Sequence, residues 1–399
     1  MPCWPRLSQT LPSDDSPLAV GSTLERRAPG PLQVALLLGF IGLVAFGGPA
    51  AHVALMRREL VERRHWLEVD RFSRMFAACN LIPGPSSTEL AMFIGYRMAG
   101  IRGLLGAGAF FIAPAMAIML ALAWAYARYA NTWLLQAILY GVRPVVVAVV
   151  AWAALDLARK MLARRWLLIL AALSLILFLI GFNPVLILGL VGIAALAVTG
   201  FWRLLGRDRS STMIALAPIL FGPHPERLPQ LFFTFLKIGA ATFGSGYVLY
   251  AFLQADFVTG LHWLKPGDLV AAVAIGQITP GPVFTTATFL GYLFAGIPGA
   301  LLATVAIFLP GLLLVPFLDR LVSMIEARRS LRILLDGVNA AVIGLIIGVG
   351  YQLGLASLHD WLTAAIALVA FPLILWKPLA TPAVVAGGAA IGLAAFGLH

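Results

Sequence analysis

Two Pro-Gly-Pro triplets, Pro83-Gly84-Pro85 and Pro280-Gly281-Pro282, interrupt an otherwise apolar chain. Proline lacks an N–H and clashes with the preceding turn, so each triplet stops a helix. A helix that restarts beyond the break presents unpaired N–H groups and the positive end of its dipole, an arrangement suited to an anion. Ser86, Ser87 and Thr88 follow the first triplet, and Thr285, Thr286 and Thr288 follow the second. Their hydroxyls can donate to an oxyanion or simply cap the new helix. Asn80 and Gln277 each lie three residues ahead of a triplet, placed either to line a site or to bond freed carbonyls. The competing reading is a pair of structural kinks; their recurrence at equivalent positions favours a binding site.

Glu89, Arg143 and Lys237 are charged residues inside apolar stretches. Such charges are costly in lipid and face a cavity or a partner. Glu89 lies one turn past the first break and is read either as a proton carrier or as the structural partner of Arg97 or another buried cation. Arg143 is the deepest cation and the better candidate for holding an anion, because a guanidinium fork fits an oxyanion. Lys237 is nearer a span end, where it can either join the site or snorkel to the interface. His65-Trp66 and His262-Trp263 read as interface anchors, and the segment from Met56 to Asp70 as an amphipathic stretch on the membrane surface.

The elements that position these residues are transmembrane helices. The chain has 399 residues, 61% hydrophobic and only 11% charged, against about a quarter charged in a soluble domain. A spanning helix needs roughly 20 apolar residues. Such stretches run near 32–51, 76–96, 104–127, 133–155, 166–182 and 184–202, then near 231–253, 269–295, 299–318, 333–355, 361–376 and 378–397. This predicts an all-α polytopic membrane protein: a tail (1–31), one transmembrane domain (32–202), a cytoplasmic linker (203–229) and a second transmembrane domain (230–399). The net charge of +11 fits Lys and Arg collecting in cytoplasmic loops, and nothing in its distribution points to nucleic acid. Cys3 and Cys79 offer neither a disulfide nor a metal spacing, and no cofactor or enzyme motif is found. Residues 1–30 do not read as a signal peptide.

The two domains repeat. Phe46-Gly47-Gly48 matches Phe243-Gly244-Ser245, His65-Trp66-Leu67 matches His262-Trp263-Leu264, and the triplets match, all 197 residues apart. At an offset of 196, Tyr96, Gly103, Pro114 and Gly141-Val142 match Tyr292, Gly299, Pro310 and Gly337-Val338. Charge flips between equivalent loops: the loop after the first span holds Arg57, Arg58, Arg63, Arg64, Arg71 and Arg74, while its counterpart holds only Lys265. Arg320, Arg328, Arg329 and Arg332 in 319–332 likewise stand against only Arg128. The positive-inside rule then predicts an inverted-topology repeat with re-entrant, Pro-Gly-Pro-broken helices.

The run Phe46-Gly47-Gly48-Pro49, Asn80-Leu81-Ile82-Pro83-Gly84-Pro85-Ser86-Ser87-Thr88-Glu89-Leu90 and Gly95-Tyr96-Arg97 resembles the N-terminal domain of the chromate ion transporter family. Phe243-Gly244-Ser245-Gly246-Tyr247 and Gly276-Gln277-Ile278-Thr279-Pro280-Gly281-Pro282-Val283 resemble its C-terminal domain, as in the long two-domain members. The resemblance implies chromate efflux across the bacterial inner membrane, coupled to protons. The chemistry of the site leaves open sulfate, an organic acid or a lipid-linked phosphate as cargo, and a homodimer as the assembly.

Overall fold

The computed structural model describes residues 29–45, 48–162, 164–204, 227–243, 246–377 and 380–397. Most of the N-terminal tail and of the linker, and Phe46-Gly47 and Gly244-Ser245 of the repeated motif, lie outside them. Apart from one isolated bridge, the regular structure of the described residues is helical. The first half runs α1 (Pro31–Val44), α2 (Gly48–Arg57, prolonged by the π turn Arg58–Arg63), α3 (Val69–Cys79), α4 (Ser86–Tyr129), α5 (Trp133–Met161), α6 (Arg165–Leu179) and α7 (Pro184–Leu204). The second half runs α8 (Arg227–Ala241), α9 (Leu249–Leu253, prolonged by the π turn Gln254–Gly260), α10 (Pro266–Ile278), α11 (Thr286–Leu314), α12 (Leu318–Ala327), α13 (Arg329–Leu355), α14 (Trp361–Trp376) and α15 (Thr381–Gly397).

Four stretches are long and apolar enough to cross a membrane: Ser86–Tyr129, Trp133–Met161, Val283–Ile325 and Arg329–Leu355. They form two equivalent pairs, and the chain is a multi-pass membrane protein. The flanks of α14 show how such a helix meets lipid and water. Trp361 and Trp376, its first and last residues, are 81% and 76% exposed, as suits the two aromatic belts of a bilayer. Asp360 caps this helix outside the span. The Thr363 N–H and the Tyr140 hydroxyl donate to its carboxylate and hold it below the usual carboxylate range.

Two expected spans are not continuous. The stretch 32–51 ends its first helix at Val44, and 231–253 ends its first helix at Ala241. At about 1.5 Å per residue, the 14 residues of α1 reach only about 21 Å, short of a hydrocarbon core of about 30 Å. The Gly-Gly-Pro and Gly-Ser-Gly sequences that follow explain the stop, since glycine and proline both disfavour helix continuation. The segment expected as a loop at 319–332 instead forms α12 over most of its length.

Equivalent positions carry the same backbone geometry. Ala99 and Gly100 break α4 at φ −144° and 58°, and Ala295 and Gly296 break α11 at φ −149° and 63°. At each break the chain doubles back. Gly95 packs on the Gly103 carbonyl and Gly291 on the Gly299 carbonyl, so the 86–98 arm lies against the 101–129 arm. His65 and His262 are both left-handed, at φ 52° and 54°. Each ends a π turn whose buried residue accepts two N–H groups: Leu60 from Trp66 and Leu67, Phe257 from Trp263 and Leu264. The recurring His-Trp-Leu is therefore a chain-reversal motif.

The last three helices of each half exchange partners. α5 packs against α14 and α15, while α13 packs against α6 and α7. Small residues permit the approach: Gly141 sits on the Gly388 carbonyl, and its equivalent Gly337 sits on Ala195 and Gly192. We expect Gly141→Leu to lower the thermal midpoint of the detergent-solubilised protein, since forcing volume into such a contact costs about 1–3 kcal/mol or more. Gly189→Leu, where a side chain meets open space, should leave the midpoint in place.

Candidate substrate site at the helix breaks

The four interrupted segments cross each other in reciprocal pairs. The Gly84 N–H donates to the Thr242 carbonyl at 2.7 Å, and the Gly281 N–H donates to the Ala45 carbonyl at 3.2 Å. Thr242 and Ala45 are equivalent residues, each just past the first helix of its half. Each Pro-Gly-Pro thus closes on the other half's broken first span. Pro83 also bridges Phe243. Gly84 and Gly281 adopt φ 131° and 91°, which glycine tolerates and side-chain-bearing residues rarely adopt. A Cβ on Gly84 would collide with Glu89 Oε1, and one on Gly281 with Ala115.

Beyond this shared frame the two breaks differ chemically. In the second half the threonine hydroxyls that follow the break are all used. Thr285 donates to the Pro282 carbonyl and Thr286 to the Val283 carbonyl, each at 2.7 Å, and Thr288 pairs with Thr304. Gln277 Nε2 donates to the Tyr250 hydroxyl at 2.9 Å. In the first half, Ser86 Oγ, Thr88 Oγ1 and both carboxyl oxygens of Glu89 are buried without a hydrogen-bond partner. Pro85, at the N-cap, has no side chain to cap the first N–H groups of α4, which lack intrahelical acceptors.

His52, on α2, completes this cluster. Its Nδ1 lies 3.1 Å from Ser87 Oγ, its ring meets Phe111 edge-on, and its Nε2 is unpartnered. No sequence motif marks His52 as functional. The signal available was a lone imidazole in an apolar run whose counterpart in the repeat is Leu249. Likewise Val283 and Phe284 stand where Ser86 and Ser87 stand, and Thr286 where Glu89 stands. Glu89 lies where the halves meet: a methyl on Gly311 would come within 3.1 Å of its Oε1.

The remaining candidates are placed elsewhere. Asn80 Nδ2 donates to the Phe76 carbonyl at 3.0 Å, one of the two roles expected of it. Arg97 does not pair with Glu89; it reaches Asp319 at 3.2 Å and stacks on Phe93. The 86–98 arm carries Arg97 to its far end, more than two turns from Glu89. Lys237 pairs with the largely buried Asp256 at 2.6 Å. Arg143 lies beside Gly267 at the start of α10, near the Tyr126 hydroxyl that donates to Asp268 at 2.8 Å, and its Nε is buried without a partner.

A family model described as chromate transporter matches residues 30–198 and again 229–393. A chromate transport protein of Cupriavidus metallidurans is 35% identical over 369 residues, covering 90% of this chain and 91% of that protein. A probable chromate transport protein of Synechococcus elongatus is 33% identical over 347 residues, 84% of this chain and 88% of its own. A chromate transport protein of Pseudomonas aeruginosa is 30% identical and covers 76% of each chain. No solved structure matches the chain.

Proposed function

The chain belongs to the chromate transporter family, whose members are transporters and not enzymes, and on that premise we propose that it exports chromate across the bacterial inner membrane in exchange for protons. One observation carries the reading: the cluster of buried, unpartnered polar groups on His52, Ser86, Thr88 and Glu89 at the first break. Buried polar groups are nearly always paired, so such a cluster is chemistry waiting for a ligand. A desolvated oxyanion needs hydroxyl and N–H donors, and the break supplies both.

The second break then serves as scaffold, because its hydroxyls already satisfy its own backbone. Lys237 is likewise structural, with its charge matched by Asp256. Arg143 supplies a full cation at the other mouth of the path, beside α10. Helix ends carry only about half an elementary charge each, so a dianion leaving the break gains from it. Arg143→Gln should cut chromate uptake into everted vesicles about tenfold or more, and Arg143→Lys should keep part of the rate at weaker affinity. The same assay with sulfate and molybdate as competitors tests the cargo. Chromate resistance and uptake at control levels in cells expressing the wild-type chain would sink this reading.

The reciprocal crossings and the charge reversal between equivalent loops support an inverted repeat with re-entrant α3–α4 and α10–α11 hairpins. Reporter fusions near Arg63 should then read cytoplasmic and fusions near Lys265 periplasmic. Both on one side would refute the inversion.

A further inference from the structure

We propose that a basic cleft between α2, α3 and the C-terminal end of α5 captures a tetrahedral oxyanion dianion from solvent and passes it to the first break; this rests on the transport reading above. The cleft measures about 520 Å³ and is lined by Arg57, Arg58, Lys160 and Glu62 together with Val53 and Phe76. That volume lies within the roughly 300–1,000 Å³ of small-ligand pockets. Three cations face it against one carboxylate. Arg57 is 3.5 Å from Glu62, and Lys160 is 2.6 Å from Asp156. Arg58 has no ion-pair partner among the described residues and is exposed.

The walls of the cleft lead to the break along two helices. Val53 adjoins His52 on α2. Phe76, on α3, is one turn before Asn80, whose amide donates to the Phe76 carbonyl. An anion held by Arg57 and Arg58 is therefore about one and a half helical turns along α2 from the first unpartnered group, the His52 ring.

The repeat provides an internal comparison. In the second half, the positions of Val53, Ala54, Arg57, Arg58, Phe76 and Lys160 hold Tyr250, Ala251, Gln254, Ala255, Val273 and Ala356. None is charged, and Tyr250, Ala251 and Val273 are fully buried. Tyr250 fills the space and accepts the Gln277 amide. The cleft is thus open on the face bearing the Arg57–Arg74 cluster and closed at its equivalent. The chain stands in the state that loads from that face.

A cationic, solvent-open cleft raises local anion concentration and the rate of capture, and salt screens the effect. The joint variant Arg58→Gln/Lys160→Gln should raise KM for chromate about five- to tenfold with kcat within about twofold, and flatten the salt dependence of uptake. An unchanged KM would overturn the proposal. A second readout needs no transport. With Cys3→Ser and Cys79→Ala, a cysteine placed by Ala54→Cys should react with a charged thiol reagent and be protected by sulfate or molybdate. Ala251→Cys should stay unreactive. Loss of protection in the joint variant supports the cleft, and protection that survives it overturns it. Equal labelling at the two positions overturns the one-sided opening. Oxyanion protection in a chain that moves no chromate would leave the cleft standing and remove the chromate reading instead.

Discussion

Replacing Pro83-Gly84-Pro85 with three alanines abolishes chromate uptake while the protein still inserts. Alanine is the strongest helix former, so the substitution invites α3 and α4 to join. A joined helix gives each N–H of the first α4 turn an intrahelical acceptor and withdraws it from an anion. Losing one hydrogen bond to a charged group costs about 1.5–3 kcal/mol, and each 1.36 kcal/mol is about tenfold in rate. Two lost donors therefore take the rate below detection. Gly84→Ala alone should act through another route. Its Cβ would collide with Glu89 Oε1, and its φ of 131° suits only glycine. We expect Gly84→Ala to displace Glu89 and to lower uptake about tenfold. Insertion is followed by membrane yield and thermal midpoint, and uptake by everted vesicles. A correctly inserted triple variant that transports at the wild-type rate would remove the break from the site.

What the sequence made legible were features written in local chemistry. Pro-Gly-Pro and its trailing hydroxyls mark a break because proline acts on its own turn. The repeated Ala-Gly at 99–100 and 295–296 marks a reversal because the second residue needs a positive φ. The interruption after α1 was less visible: 32–51 is apolar apart from Gln33, and hydropathy does not distinguish a 14-residue helix from a spanning one. What no local pattern encodes is the pairing across the halves. That Gly84 closes on Thr242 and Gly281 on Ala45 depends on segments roughly 160 and 240 residues apart meeting in three dimensions, a separation at which local propensity is silent. The exchange of α5 and α13 left a trace in the Gly141-Val142 and Gly337-Val338 match. Its meaning, a glycine seated on the opposite half's backbone, needed the partner helix. The same limit hid the unequal breaks. Threonines that look like site donors turn out to bond their own carbonyls, whereas Ser86 and Thr88 do not.

Glu89→Gln should separate the proton from the anion. Outward movement of a dianion is already favoured by a negative cell interior, at about 2.3 kcal/mol per charge per 100 mV, or roughly 4.6 kcal/mol for two charges. Coupling to a proton is thus an addition to the driving force and not a requirement for direction. Glu89 is placed to provide it. It is fully buried, and both its oxygens are unpartnered. It lies against Gly84 of the break and near Gly311 of the other half. In the exchange cycle Glu89 takes a proton from the outer side once the anion has left and gives it up to the cytoplasm before the next anion loads, so proton and chromate cross in opposite directions. Glutamine keeps the shape and the donor but cannot exchange a proton. In everted vesicles carrying both gradients, collapsing the pH gradient with nigericin should slow wild-type uptake several-fold, and collapsing the potential with valinomycin and potassium should slow it further. The glutamine variant should be insensitive to nigericin, retain its valinomycin sensitivity and move chromate at a rate set by the potential alone. Its pH-driven component should fall about a hundredfold or more, the scale associated with removing a general acid–base group. A glutamine variant that keeps the full nigericin response would place the proton elsewhere, with His52, 3.1 Å from Ser87, as the next group to replace.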